Sequence, residues 1–402
     1  MAQHSLSPLR RTVVGVQFMF VAFGSTVLVP LLTGLDPAVA LLAAGLGTLL
    51  FHAVTGGKVP IYLGSSFAFI APIIKATELF GLGGMFCGLV SVGLVYMLMS
   101  LLVRTFGIDL IKKLFPPVVI GPVIILIGLS LAGAGVNMAQ ENWILAIVSL
   151  AVAVAASIWG KGMIKLIPVV FGALAGYVVA LIFFRDTMDF AAVGNASWFA
   201  FPKLAKMSFS WQAILFMAPV AIAPIIEHVG DMYAIGSIAG KDFVKDPGLH
   251  RTMLGDGLSC VLAAFLGGAP ITTYSEVTGA VSLTKVTDPS VLRIAAVSAV
   301  VLSVIGKVGA VIQTIPSAVL GGIMLLLFGS IASVGISNMI QANIDMGSTR
   351  NLIIVSLILT IGIGGAIISV GSFTLSGIGL ASLVGVILNL ILPEDKKENV
   401  EK

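Results

Sequence analysis

Glu276 sits in the stretch PITTYSEVTGAVSLTK, Pro270 to Lys285, with long apolar runs on both sides. A carboxylate in such surroundings costs on the order of 3 kcal/mol to place in a bilayer unless a partner, a cavity or a proton relieves it. Glu227 and Asp231 stand four residues apart in PIIEHVGDM and would share one helical face, and Asp256 follows in LGDGLS within the next apolar run. With few basic residues among them, these acids cannot all be ionised in a low dielectric, so at least one is expected to hold a proton. Glu227, Asp231, Asp256 and Glu276 are therefore candidates for proton exchange. A carboxylate at position 276 can also accept two parallel N–H donors from a planar ligand. His228 points about 100° around a helix from Glu227 and reads as a packed or interfacial histidine. His52 and His250 stand alone, and no His/Glu/Asp spacing suits zinc or a metal pair, so neither metal nor cofactor is expected. Cys87 and Cys260 lie in apolar runs without CxxC spacing and read as small buried hydrophobes.

The elements that position Glu276 are as unusual as the acid. From Pro60 to Phe69 and from Pro270 to Val277 the chain reads as extended first and helical second: proline withholds a donor, and Ile271, Thr272, Thr273 and Tyr274 favour strands. Ser65 or Ser66, and Ser275, are the expected N-caps of the half-helices that follow. Each half-helix would aim free backbone N–H groups at mid-membrane, where irregular backbone survives only if it lines a cavity or is buried in protein. Two such ends make a pocket for an electron-rich ligand, a carbonyl-bearing ring or an anion, with Phe67, Phe69 and Tyr274 available to stack on a flat ring. Aligning the two segments places Glu276 opposite Ser66.

Hydrophobic residues make up 58% of the 402 and charged ones 10%, and the mean hydropathy is +1.12. These values exclude a water-soluble core and define a polytopic membrane protein. The net charge of +4 comes from basic residues scattered singly, which is a topology signal and not a nucleic-acid surface. Apolar stretches run from Val14 to Leu32, Pro37 to Val54, Pro60 to Thr77, Gly81 to Val103, Leu114 to Ala134, Trp143 to Trp159 and Ile164 to Phe184. A second set runs from Trp211 to Ile235, Leu249 to Gly267, Pro270 to Leu283, Val291 to Ile305, Ile312 to Ile336, Leu352 to Ile368 and Phe373 to Leu392. The expected fold is thus an all-α integral membrane protein of fourteen transmembrane segments, with residues 1–184 and 211–402 as two seven-span repeats and 185–210 as an extracellular connection. The N-terminal MAQHSLSPLRRTVVGVQ leads into an uncleaved first span. With that end in the cytoplasm, seventeen basic residues, including Arg10, Arg11, Lys58, Lys245, Arg251, Lys285, Lys396, Lys397 and Lys402, fall inside; Lys75, Arg185, Lys203, Lys206 and Lys307 fall outside. Both termini are then cytoplasmic in a plasma-membrane protein.

The halves also echo each other: GLGTLL and GGKVP recur as GLSCVL and GGAP, PIYLGSSFAF faces PITTYSEVT, and FPPVVIGPVIILIG matches IPSAVLGGIMLLLFG. An odd number of spans per repeat makes the second repeat enter from the opposite side. That is a transporter architecture, with its site at the midplane between repeats.

At these residues the chain resembles the nucleobase/ascorbate transporter family, also called nucleobase–cation symporter-2, and is most similar to its bacterial uracil permeases. The resemblance runs from GVQFMFVAFGSTVLVP to the last span and is most specific in YLGSSFAFIAP, EHVGD, KDPGLHR and TTYSEVTGAVSLTK, where Glu276, Gly279, Thr284 and Lys285 keep the family signature. It implies a core-and-gate fold, with spans 1–4 and 8–11 as core and 5–7 and 12–14 as gate. Two short antiparallel strands would lie in the broken third and tenth spans, and a homodimer would form through the gates. It implies import of a nucleobase with protons. Carried over by position, Glu227 and Glu276 hold the base by paired hydrogen bonds, and Phe67 and Tyr274 pack on or beside its ring. Backbone N–H groups near Ser66, Phe67 and Ser275 meet its carbonyls. Glutamate at 276 is similar to the uracil members. Four positions depart from them: Val277 replaces the signature asparagine, Asp231 stands where they carry a second histidine, Asp256 resembles the purine branch, and Met346 replaces a pocket-proximal tyrosine. Uracil is the first expectation for the base and xanthine the second. A sulfate- or bicarbonate-type anion carrier of the same fold would want neutral or basic residues at the half-helix ends, and an intramembrane enzyme using Glu227 and Asp231 leaves the repeat unexplained; a channel would want a charged ring.

Overall fold

A computed structural model describes residues 7–202, 204–370 and 373–393 of the chain. Lys203, Lys396, Lys397 and Lys402 of the basic-residue tally, and both chain ends, lie outside the described residues. The protein is mostly helical, and glycine, proline and capping residues punctuate its apolar runs. In order the principal elements are α1 (Pro8–Thr33), α2 (Pro37–Val54), β1 (Leu63–Ser65), α3 (Ile70–Phe106), α4 (Pro117–Ser130), α5 (Trp143–Trp159) and α6 (Pro168–Phe183). After the connection come α7 (Ile222–Ala239), α8 (Leu249–Leu266), β2 (Ile271–Thr273), α9 (Ser275–Thr284), α10 (Pro289–Ser303), α11 (Ser317–Gln341), α12 (Thr349–Ile363), β3 (Ile367–Val370), β4 (Phe373–Ser376) and α13 (Gly377–Ile391).

Three expected spans are broken differently from the sequence reading. The run expected from Trp211 to Ile235 divides into Trp211–Met217, a 3-10 turn at Ala218–Ala221 and α7, because Pro219 interrupts the helical hydrogen bonding. The expected separation of the third and fourth spans is a single residue, Gly81, whose φ of 69° turns the chain inside α3. At the C-terminal side the helix expected to reach Ile368 stops at Ile363, where Gly364 and Gly365 (φ 65°) end it and an antiparallel ribbon of β3 and β4 follows. This leaves α12 and α13 with 15 residues each, shorter than the roughly 20 a helical span needs.

Packing falls into two groups. α3 lies along α8, α2 along α8 and α10, and α1 along α10; separately, α11 lies along α4 and α5, α5 along α6, and α12 along α13 and α4. The closest approaches use small residues, as in other membrane bundles. A Cβ on Gly93 of α3 would stand 2.4 Å from the carbonyl of Gly257 on α8, so the two backbones touch where neither has a side chain. α7 lies between the groups, touching both α4 and α13, and α9 packs on α1 and α7.

Loop contacts sort the two ends of the bundle. At one end Lys58 pairs with Asp246, Arg11 approaches Asp288 at 3.5 Å, and Ser100 bonds the His250 carbonyl at 2.5 Å. At the other, Lys307 donates to the carbonyls of Val193 and Gly194, and Ser208 and Ala200 bond the backbone of Gly83 and Val304.

Candidate functional site

The two broken segments meet. β1 and β2 pair antiparallel, Leu63 opposite Thr273, Gly64 opposite Thr272 and Ser65 opposite Ile271, and the ladder is extended by Ser66 N–H to the Pro270 carbonyl and Tyr274 N–H to the Tyr62 carbonyl. One helical segment begins at Phe67 and the other at Ser275. Strand-to-helix alignment therefore matches Ser66 with Tyr274 and Ala68 with Glu276. The expected partner of Glu276, Ser66, is two residues off, because the lead from Pro60 to its strand is two residues longer than the lead from Pro270. Ser66 holds the expected N-cap position of the first half-helix but makes no side-chain cap bond; at the second, Tyr274 is the N-cap, Ser275 is the first helical residue, and its hydroxyl is used elsewhere.

What the ends offer is free backbone. Ser66 N–H is consumed by the ladder, which removes it from the expected carbonyl contacts. Phe67 and Ala68 at one end, and Ser275 and Val277 at the other, carry first-turn N–H groups with no intrahelical acceptor. Both ends face a cavity of about 310 Å³, the lower end of the small-molecule range. Ser66, Phe67, Glu227, Asp231, Tyr274, Ser275 and Glu276 all line it.

Each acid has a distinct setting. Glu276, half-buried, accepts a hydrogen bond from Ser25 Oγ of α1 at 3.2 Å. Asp231, 5% exposed, is clamped by two hydroxyls: Thr273 Oγ1 donates to Oδ2 at 2.6 Å and Ser275 Oγ to Oδ1 at 2.7 Å. Glu227 lines the same cavity, and no described donor bonds its carboxylate. Glu227 and Glu276 are thus the carboxylates open to a ligand, while Asp231 is occupied by protein. Asp256 is not at the cavity: it is completely buried on the far side of α7 against His228, so neither residue sits at an interface.

The aromatic expectations divide. Phe67 lines the cavity and packs edge-on against Phe328 of α11, ring centres 5.7 Å apart. Tyr274 lines it too, its hydroxyl donating to the Ser65 carbonyl at 2.8 Å and its ring lying over Gly64. Phe69 is fully buried away from the cavity, and Met346 is exposed in the turn after α11. Residues the sequence did not single out complete the site: Ser25 behind Glu276, and in the walls the Ile124 and Ile127 side of α4 and the α11 face of Leu327, Ser330, Val334 and Asn338. A polar residue recurring along α11 was the available signal. Among the described residues no cluster of His, Cys, Asp and Glu could hold a metal ion.

A helical bundle with paired broken segments around a cavity lined by acids is the build of a multi-pass membrane transporter, not of an enzyme. The model of a permease family matches residues 10–371. The chain belongs to that family, the nucleobase/ascorbate transporters whose signature segments it carries. Among its relatives, a probable uracil permease of Haemophilus influenzae is 49% identical over 98% of this chain and 96% of its own length. The uracil permease of Bacillus subtilis is 44% identical over 96% and 93%. Among solved structures, that of SLC26A9 superposes with a TM-score of 0.72 at 13% identity; it covers 95% of this chain, which spans 64% of that protein. The likeness shows a shared fold.

Proposed function

We propose that the protein is a proton-coupled symporter of the plasma membrane that imports a nucleobase, uracil first, by alternating access. The observation that carries this reading is the pair of carboxylates, Glu227 and Glu276, open on one cavity beside first-turn N–H groups of two half-helices. A flat ring with alternating N–H and carbonyl groups complements that set: its N–H groups meet the carboxylates, its carbonyls meet the backbone at Phe67 and Ser275, and Phe67 and Tyr274 flank the ring. The names of the relatives agree with uracil.

The reading takes the chain as fourteen spans in two inverted repeats, with both termini cytoplasmic. The α1–α2–α3–α8–α10 group, with α7 and α9, is the core, and the α4–α5–α6–α11–α12–α13 group is the gate, through which two copies pair. The cavity lining reaches Ala234 on α7 and Asn338 on α11, toward the ends of those helices, which supports reading this as the inward-open state. Proton and base would enter from outside, neutralise the acids together, and leave on this side after the core moves against the gate. Xanthine is the second reading, favoured by Asp231, which the resemblance shares with purine members.

Thermal shift of the purified protein with uracil, thymine, xanthine, urate and sulfate tests it, since a ligand bound only by the folded state raises the melting temperature. Uracil should give the largest shift and sulfate none. A response to sulfate alone would replace the reading with that of an anion carrier.

A further inference from the structure

Behind the cavity, on the far side of α7, lies a polar cluster that the reading above does not use. His228 and Asp256 are both completely buried, with His228 Nδ1 2.8 Å from Asp256 Oδ2. The other ring nitrogen, Nε2, stands 2.9 Å from Thr252 Oγ1, and that hydroxyl donates to the Leu249 carbonyl at 3.0 Å. A hydroxyl has one proton to give, so toward His228 it accepts, and Nε2 must carry a proton. At Nδ1 the contact is short but not aligned as a hydrogen bond. At that distance a proton must lie between Nδ1 and Oδ2, since otherwise two lone pairs would face each other, and it resides either on the ring or on the acid.

We propose that His228 is held as an imidazolium paired with ionised Asp256, a net-neutral positioning pair that takes Asp256 out of proton exchange with the cavity. Its last clause rests on the proposed function; the ring's charge state does not. The groups facing the pair fit a cation. Glu227 and Asp231 lie on its own helix, while Tyr96 of α3 sets its ring edge-on to His228 at 6.3 Å and Cys260 lies near Asp256 on α8. From the pair, a short path leads to the site. Asp256 faces the backbone N–H of Thr273, and the Thr273 hydroxyl is one of the two that clamp Asp231. The pair thus stands against β2, one residue's hydroxyl away from the carboxylate of Asp231.

Nitrogen-15 spectra of histidine-labelled protein in lipid bilayers test the charge state. The chain has 4 histidines, and the His228 signal is the one that His228→Gln removes. Both of its nitrogens should be protonated at about neutral pH. Asp256→Asn should return the ring to the neutral form, and Asp256→Glu should keep the cation. A neutral ring in the wild type at about pH 6, or an Asp256→Asn spectrum unchanged from wild type, overturns the proposal. If Asp256→Asn does not fold, Asp256→Glu and the wild-type spectra decide.

In binding experiments with uracil, Asp256→Asn should weaken affinity by about tenfold, as loss of an orienting partner does, without moving the pH midpoint of binding. Asp231→Asn should move or abolish that midpoint. A midpoint shifted equally by both variants makes Asp256 an exchanging group and also overturns the proposal. If the wild type binds no nucleobase, the proposed function fails while the spectra still decide the charge state.

Discussion

At the scale of single residues, the acids differ by what already bonds them. Asp231 spends both oxygens on Thr273 and Ser275, whereas Glu227 and Glu276 keep acceptor capacity for a ligand. Glu276→Gln and Glu227→Gln keep shape and remove charge, and each turns an acceptor toward a ligand N–H into a mixed donor and acceptor. Losing a hydrogen bond to a charged group costs about 2–3 kcal/mol, so each variant should lower uracil uptake roughly 30- to 150-fold while inserting normally. Uptake into proteoliposomes with an imposed pH gradient checks this, and wild-type, pH-dependent uptake in both variants would remove the assigned roles. Much of this set was legible: an acid in an apolar run is conspicuous, and the four-residue spacing put Glu227 and Asp231 on one face. Ser25 and the His228–Asp256 contact were not, because their partners come from other helices and no spacing encodes them.

At the scale of elements, the crossing of the two broken segments depends on a residue with no side chain. A Cβ on Gly64 would stand 2.3 Å from Cζ of the Tyr274 ring, inside any tolerable contact. Gly64→Val must displace Tyr274 or part the two strands, at a cost of about 1–3 kcal/mol, and should abolish binding through Tyr274 rather than through any direct contact. Comparing ligand-induced thermal shifts of Gly64→Val and wild type tests it; an undiminished shift would mean the strands tolerate the ring elsewhere. The prolines made both breaks legible in the sequence, but not the two-residue difference in lead, since where a strand starts is fixed by its partner. The β3–β4 ribbon escaped notice because its isoleucines continue an apolar helix pattern.

A second element is tied at its end. Asp288 caps α10, accepting Ser290 N–H at 2.9 Å, and stands 3.5 Å from Arg11 at the start of α1. Partial burial works against its ionised form, but the Ser290 hydrogen bonds and the charges of Arg11 and Arg293 prevail and hold its pKa below the ordinary value. Its contribution is therefore present above the unfolded value of about 3.9 and is lost as pH falls through the lower folded one. Asp288→Ala should destabilise by about 1 kcal/mol at neutral pH, with the difference from wild type vanishing in acid. Melting curves across pH show whether it does.

At the scale of the whole molecule, the two packing groups meet along α7, the helix that carries Glu227 and Asp231, where it touches α4 and α13, so motion between the groups must reshape the cavity. The halves of the sequence lead to the expectation of a repeat with a site between its halves; they carry no signal for which side is open, because both states bury the same apolar runs. Here the opening is read from Ala234 on α7 and Val334 on α11, both exposed cavity-lining positions, with Val334 43% exposed. The native thiols are less accessible, Cys260 buried and Cys87 half-buried, so a cysteine at either position stands out once Cys87 is replaced by serine. If core and gate alternate, a membrane-impermeant maleimide should label Ala234→Cys and Val334→Cys from the cytoplasmic face of inside-out vesicles and hardly at all from the outer face of right-side-out ones. Uracil should slow that labelling, either by occupying the cavity or by favouring the outward state, and Phe265→Cys, an exposed position on α8 outside the cavity, should be indifferent to it. Equal labelling from both faces would describe a pore open at both ends, which a coupled symporter cannot be.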